Sequence, residues 1–216
     1  MLQHHFYTAG LAVYITLKLM KPVIDVSAAD YLNSIGTIIH ECDLPATKRV
    51  RAAASCLAIA QDHHHAIVVL LDHDLYAASF ALVRVAFEAY VRGEWLALCA
   101  TDAEVESSVG GTEPPRIGEL LESLERTETF NEGVLSKVKA GSWRAMCAFT
   151  HTGGLHIQRW NTPEAIEPNY DDAEVRKVLS SAETIGALSV VGIAALAGDE
   201  AAAEKVLKIF RERMGA

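Results

Sequence analysis

The chain has 216 residues, half of them hydrophobic and 22% charged, which is enough apolar surface for one full core and too little charge for a disordered chain. Its formal charge of −9 excludes a general nucleic-acid coat or an anionic-membrane binder, since both need a broadly basic surface; a local basic site stays open. The four cysteines, Cys42, Cys56, Cys99 and Cys147, are widely spaced without a CxxC pair and read as reduced thiols of a cytoplasmic protein.

Residues 6–17 are apolar, but no Lys or Arg precedes them, and about 12 residues are too few to span a bilayer. Residues 1–24 therefore read as an extension that packs on the domain or on a partner chain, and residues 25–216 as a single helical-bundle domain. Ser27 can cap a helix running to residue 41, ended by Asp43-Leu44-Pro45. Thr47 caps a longer one to residue 71, whose stripe Val50, Ala53, Leu57, Ala60, His64, Ile67, Leu71 has the 3-4 spacing of a bundle helix.

After a three-residue link, residues 75–99 form the stretch on which the others must pack. It has no proline, its only glycine is Gly93, and both of its faces are largely apolar. A helix that is apolar nearly all round is central, so its charges must be paired or face a cleft. Arg84 and Glu88 stand at i,i+4, as do Glu88 and Arg92, and the three can form a ladder. Two long helices with so short a link lie antiparallel, the seed of an up-and-down bundle.

Residues 101–111 are acidic and small, and Gly110-Gly111 and Pro114-Pro115 break any helix. A polar amphipathic helix follows over residues 116–125, then a weak one over 130–139 ending near Gly141. This middle third reads as a surface insert that lines or covers a site. Ser142 caps a further helix through His151, stopped by Gly153-Gly154 as a glycine C-cap. A loop over residues 155–170 leads to two last helices, 173–197 and 199–214, split at Gly198-Asp199. No strand pattern and no repeat is present, and the fold class is all-α.

Two constellations could carry chemistry. In Asp62-His63-His64-His65, Asp62 and His65 have the i,i+3 spacing of a helical metal pair, but adjacent histidines splay by about 100° and cannot all converge. His64 lies on the apolar stripe as a core histidine, and no metal site and no cofactor is assigned. The stronger constellation is Arg144 and His151, seven residues apart, which share a helix face within about 20° and two turns. A histidine that takes a proton and an arginine that holds a phosphate suit a metal-independent ribonuclease.

The two antiparallel helices, the Arg84-Val-Ala-Phe-Glu88 stretch and the Arg-x6-His motif ahead of Thr152-Gly153-Gly154 together resemble the HEPN superfamily of helical bundles, in its bacterial branches of unassigned function. The resemblance covers residues 47–160. It implies an active site at Arg144, the phosphate-binding arginine, and His151, the catalytic histidine. It also implies a homodimer and a role in toxin–antitoxin or phage-defence systems, with RNA as substrate and an antitoxin as partner. Arg84, Glu88 and Arg92 would then line the cleft and orient the pair, while His156, Arg159 and Trp160 would complete it, Arg159-Trp160 offering a cation and a stacking surface for a base.

The alternative is a non-catalytic module binding a nucleotide-like ligand or a protein partner in the polar cleft beside Arg84 and Glu88. The shared face of Arg144 and His151 favours the nuclease. The acidic charge, and Ala145 where active members carry a polar residue, favour the module.

Overall fold

The computed structural model describes residues 27–40 and 42–215, together with the backbone of Tyr14–Ile15. Among the described residues the chain forms nine helices and one pair of two-residue strands: an all-α helical bundle. Helix α1 (Ser27–Gly36) ends sooner than its apolar pattern suggests, passing into turns through His40. Helix α2 (Lys48–Asp72) starts as expected, with the Thr47 hydroxyl accepting from the Val50 N–H.

Helix α3 (Tyr76–Leu98) runs back along α2 after a tight link in which Asp74 takes a left-handed conformation (φ 57°). Arg49, from the first turn of α2, closes the far end of α3: its guanidinium donates to the Leu96 and Ala100 carbonyls at 2.9 and 2.6 Å, satisfying groups that a helix C-terminus leaves open.

The middle third corrects the expectation of a surface insert. Helix α4 (Asp102–Val109) forms where the glycines and prolines suggested none, because Thr101 and Glu104 make a capping box. Helix α5 (Ile117–Leu124) places Leu120, Leu121 and Leu124 in the main core beside Phe87 and Val91. The two helices expected around Gly141 are one, α6 (Val134–Thr150), with Gly133 in the left-handed region at its start. Nothing crowds Gly141, so the helix passes through it at a cost of about 1 kcal/mol. Burial of Leu135, Met146 and Phe149 on either side outweighs that cost.

The expected long loop contains helix α7 (Gly154–Gln158) and strand β2 (Ala165–Ile166), which pairs in parallel with β1 (Tyr14–Ile15). Apart from that strand, the extension 1–24 lies outside the described residues. Helices α8 (Asp172–Ala197) and α9 (Glu200–Met214) follow, capped by Asp171 and Asp199 and separated by Gly198 at φ 70°. Alone among the described helices, α8 is long and apolar enough to cross a membrane, and half of that window is buried inside the bundle.

Helices α2, α3 and α8 make the central three-helix layer, with α5 and α6 covering α3 and with α1 and α9 backing α8. Their close approach depends on glycine. Leu57 of α2 inserts between Gly93 of α3 and Gly192 of α8; a Cβ at either would stand 2.7 and 2.9 Å from Leu57 side-chain carbons. One turn pair further on, His64 fills a notch at Gly186, where a Cβ would lie 2.1 Å from its Nδ1. His64 is wholly buried, with Gln61 Oε1 3.3 Å from Nδ1 and no partner for Nε2 among the described residues. Arg213 of α9 grips Glu183 of α8 at 2.8 and 3.1 Å and donates to the Ser27 hydroxyl, tying the chain end to α1.

Gly186→Ala should lower the unfolding free energy by about 1–3 kcal/mol, although alanine is the better helix former by about 1 kcal/mol. His64→Ala in the same chain should return part of the loss, which urea unfolding of the double-mutant cycle will read as coupling.

Two buried groups set opposite pH slopes. Burial, with some help from the neighbouring His65, holds the His64 imidazole down to about 4. Between pH 4 and 6.5 the unfolded chain therefore binds the extra proton, and stability rises with pH. Burial pushes the Glu94 carboxyl up to about 7, so from pH 4.5 to 7 the folded chain holds the extra proton and stability falls as pH rises. Relative to wild type, Glu94→Gln should therefore gain about 3 kcal/mol of stability on going from pH 4.5 to pH 7, measured by urea unfolding at each pH.

Candidate functional site

The i,i+4 ladder forms on α3. Arg84 Nε donates to Glu88 Oε1 at 2.8 Å and Arg92 Nη2 to Glu88 Oε2 at 3.3 Å. The Glu88 side chain is 14% exposed and Arg84 20%, so this is a partly desolvated carboxylate shared by two guanidinium groups rather than a solvated surface pair. Arg92 is the more open of the two cations, and its Nε is buried without a partner among the described residues.

Helix α6 brings the rest. The Thr150 hydroxyl lies 3.1 Å from the Ala81 carbonyl and 2.9 Å from that of Met146, which pins the last turn of α6 to α3 beside Arg84. His151 is the C-cap, and its Nε2 meets Arg84 Nη1 directly. Since a guanidinium can only donate, Nε2 serves as the acceptor in this contact. Two turns earlier, Trp143 lies under the same guanidinium, with Arg84 Cζ 4.8 Å from the ring centroid and Lys139 Nζ 5.9 Å from it. Arg84 is thus held by a carboxylate, an indole face and an imidazole at once, a preorganised cation at the mouth of a helix end.

The helix stop differs from a glycine C-cap. The left-handed residue is Thr152, at φ 53°, an uncommon conformation for a β-branched side chain and one that stores strain next to His151. Gly153 follows, its N–H reaching the Ala148 carbonyl at 2.7 Å, and a Cβ there would stand 3.1 Å from Ala148 Cα. This is a Schellman closure in which glycine serves close approach and threonine takes the turn.

Arg144 and His151 lie on α6 and at its cap, about 10 Å apart along the axis. Arg144 is exposed and forms no hydrogen bond or ion pair among the described residues, so the cation that His151 touches is Arg84.

The remaining candidates gather elsewhere. His156 is buried, with Nδ1 2.9 Å from the Phe149 carbonyl, one of those left open at the end of α6. Arg159 pairs with Glu174 of α8 through two bonds of 2.7 and 2.5 Å, and the Trp160 indole donates to the Tyr170 hydroxyl at 3.1 Å. Tyr170 in turn packs on Tyr76 and Phe80. These three residues fasten α7 and its loop to the core and do not join the cleft at Arg84.

Sequence reasoning missed Trp143 and Thr150, although Trp143 stands eight residues before His151 on the same helix, a spacing that marks one face. His63 is half-buried and His65 exposed on either side of buried His64, and among the described residues no three His, Cys, Asp or Glu side chains converge.

Fold and site together define a helical-bundle protein with a caged arginine against a histidine at a helix end. The chain belongs to a family of unknown function (DUF6988), whose model matches residues 57–214, from the middle of α2 to the end of α9. No curated protein and no solved structure matches it.

Removing Glu88 leaves two cations without their shared partner. Glu88→Ala should cost about 2–3 kcal/mol in urea unfolding and shift the His151 ring resonances in NMR, whereas a variant at exposed Arg144 should change neither.

Proposed function

We propose that the chain is a metal-independent endoribonuclease and that Arg84 and His151 are its reacting pair. The observation that carries this is the contact of the Arg84 guanidinium with Nε2 of His151: a group able to accept a proton and a cation able to hold a phosphate meet at one point. A phosphodiester entering there displaces the contact and takes both partners. His151 Nε2 removes the 2′-hydroxyl proton; the 2′ oxygen bonds to phosphorus while the bond to the 5′ oxygen breaks, and the proton passes to that leaving oxygen. Arg84, kept in place by Glu88 and Trp143, stabilises the charge on the pentavalent phosphorus, with exposed Arg144 as a second cation. The products are a 2′,3′-cyclic phosphate and a free 5′-hydroxyl.

The resemblance to HEPN bundles supports this reading, as does a second arginine, Arg92, on the same carboxylate. The same resemblance points to a cytoplasmic homodimer restrained by an antitoxin. Ile59 and Val69, exposed apolar side chains of α2, are of the kind such contacts cover. The overall charge of −9 favours the second reading, a binding module for a nucleotide-like ligand or a protein partner at the same cleft.

The test is cleavage of an end-labelled RNA pool in EDTA. His151→Ala and Arg84→Ala should each lose about 10²-fold or more in rate, Arg144→Ala about tenfold, and the wild-type fragments should end in cyclic phosphate. An inactive but folded wild type, or activity that survives His151→Ala, defeats the nuclease reading. Retention of nucleotides by the inactive wild type would then establish the binding module.

A further inference from the structure

Helices α6 and α8 both pack on α3 but scarcely touch each other, so a groove runs between them with α3 as its floor. It lies on the flank of α6 opposite Trp143 and His151 and is independent of the nuclease reading. Two clefts of about 200 and 370 Å³ make up the groove, and they share Ser142, Met146, Lys177 and Ser181. The floor is Phe80, Val83, Phe87 and Tyr90; Val138 of α6 and Leu188 of α8 both line the wider cleft. Such a mostly apolar trough with a few hydroxyls and a few charged side chains is the make-up of a small-molecule site.

The charges decide what the groove would hold. Three ionic side chains line it: Glu174, Lys137 and Lys177. Both Glu174 oxygens are taken by Arg159, and the Lys137 ammonium donates to the Glu132 carbonyl at 2.9 Å. The Lys177 ammonium has no ion pair or hydrogen bond among the described residues, and the residue stands where the two clefts meet. In a chain of net charge −9, an apolar trough whose one uncommitted charge is positive selects an anion with an apolar tail.

We propose that this groove binds a medium-chain carboxylate, its head on Lys177 and the hydroxyl of Ser142, its tail along the α3 floor toward Val138 and Leu188. The carboxylate gives the Lys177 ammonium an ion pair, and the tail covers apolar surface open to water at the wider cleft, where Val138 is exposed.

Calorimetric titration with decanoate, decanol and decylamine, each below its micellar concentration, tests this. Decanoate should bind saturably at one site, decanol more weakly and decylamine most weakly. Lys177→Met alters an exposed side chain and leaves folding intact; it should weaken decanoate by about fivefold and leave decanol unchanged. Ser181→Trp, at the junction of the clefts, should block decanoate and decanol alike while retaining the wild-type circular dichroism. Equal binding of the amine, an unchanged decanoate affinity in Lys177→Met, or no saturable decanoate binding each overturns the proposal. In the last case, binding of an acidic amphipathic helical peptide that perturbs Val138 and Leu188 would reassign the groove to a protein partner.

Discussion

The seating of Leu57 between Gly93 and Gly192 is the contact on which the other arrangements rest. A side chain that enters two neighbouring helices at once fixes the approach of all three axes, and His64 in the Gly186 notch repeats the device two turns along α2. With α2 and α8 fixed, α3 cannot rotate, because Phe80, Val83 and Phe87 are buried on one side of it and Ala86 and Val91 on the others. The direction of Arg84, Glu88 and Arg92 follows from that. Thr150 then registers α6 on α3 through the Ala81 carbonyl and sets His151 against Arg84. The geometry of the site therefore descends from the packing of α3 on α2 and α8, beginning at Gly93 beside Arg92.

Much of this architecture is legible in the residues. Thr47 as a cap, the 3-4 stripe of α2, the all-round apolar character of α3 and the break at Gly198-Asp199 all give boundaries within a few residues. What escapes is the balance between local and distant terms. Gly141 reads as a break because its local propensity is poor, yet burial of Met146 and Phe149 carries α6 through it. The helix α4 was readable in principle, since Thr101 and Glu104 form a capping box, but the acidic and small composition around them hides it. The Leu57 and His64 notches could not be read at all, because nothing in the spacing of α2 says which glycine of α8 it will meet.

The candidate site divides in the same way. The pairing of Arg84, Glu88 and Arg92 is local to one helix, and i,i+4 spacing gives it directly. Spacing also puts Arg144 and His151 on one face, but a helical wheel assumes that the helix continues. At His151 it stops (φ −109°), Thr152 turns left-handed, and the imidazole meets a residue 67 positions away. His156, Arg159 and Trp160 have the residue types of a binding loop, and the packing uses them instead to close a helix end and clamp α8. In each case the chemistry of the side chain was plain in the sequence, and the partner was set by a loop whose course local rules do not determine.

The charge of the chain and the charge of the site point in opposite directions, and this bears on what can bind. The repulsion that a surface of net charge −9 exerts on a polyanion is largely screened beyond about 10 Å at moderate salt. Within that range the local cations prevail: Arg84 and Lys139 both contact the Trp143 ring, Arg92 shares Glu88, and Arg144 is open to solvent. On the proposed nuclease reading, such a site would hold one or two phosphates by direct contact and gain little from steering, so long duplexes would have no advantage over a short single strand that can reach the helix end. Glu88 works in the same sense. By neutralising part of the guanidinium charge in the resting protein it keeps Arg84 and Arg92 together without a ligand, and a phosphate that enters must compete with a carboxylate already in place. Discrimination then falls to whatever else the ligand offers to His151 and to the indole beside it, rather than to its charge.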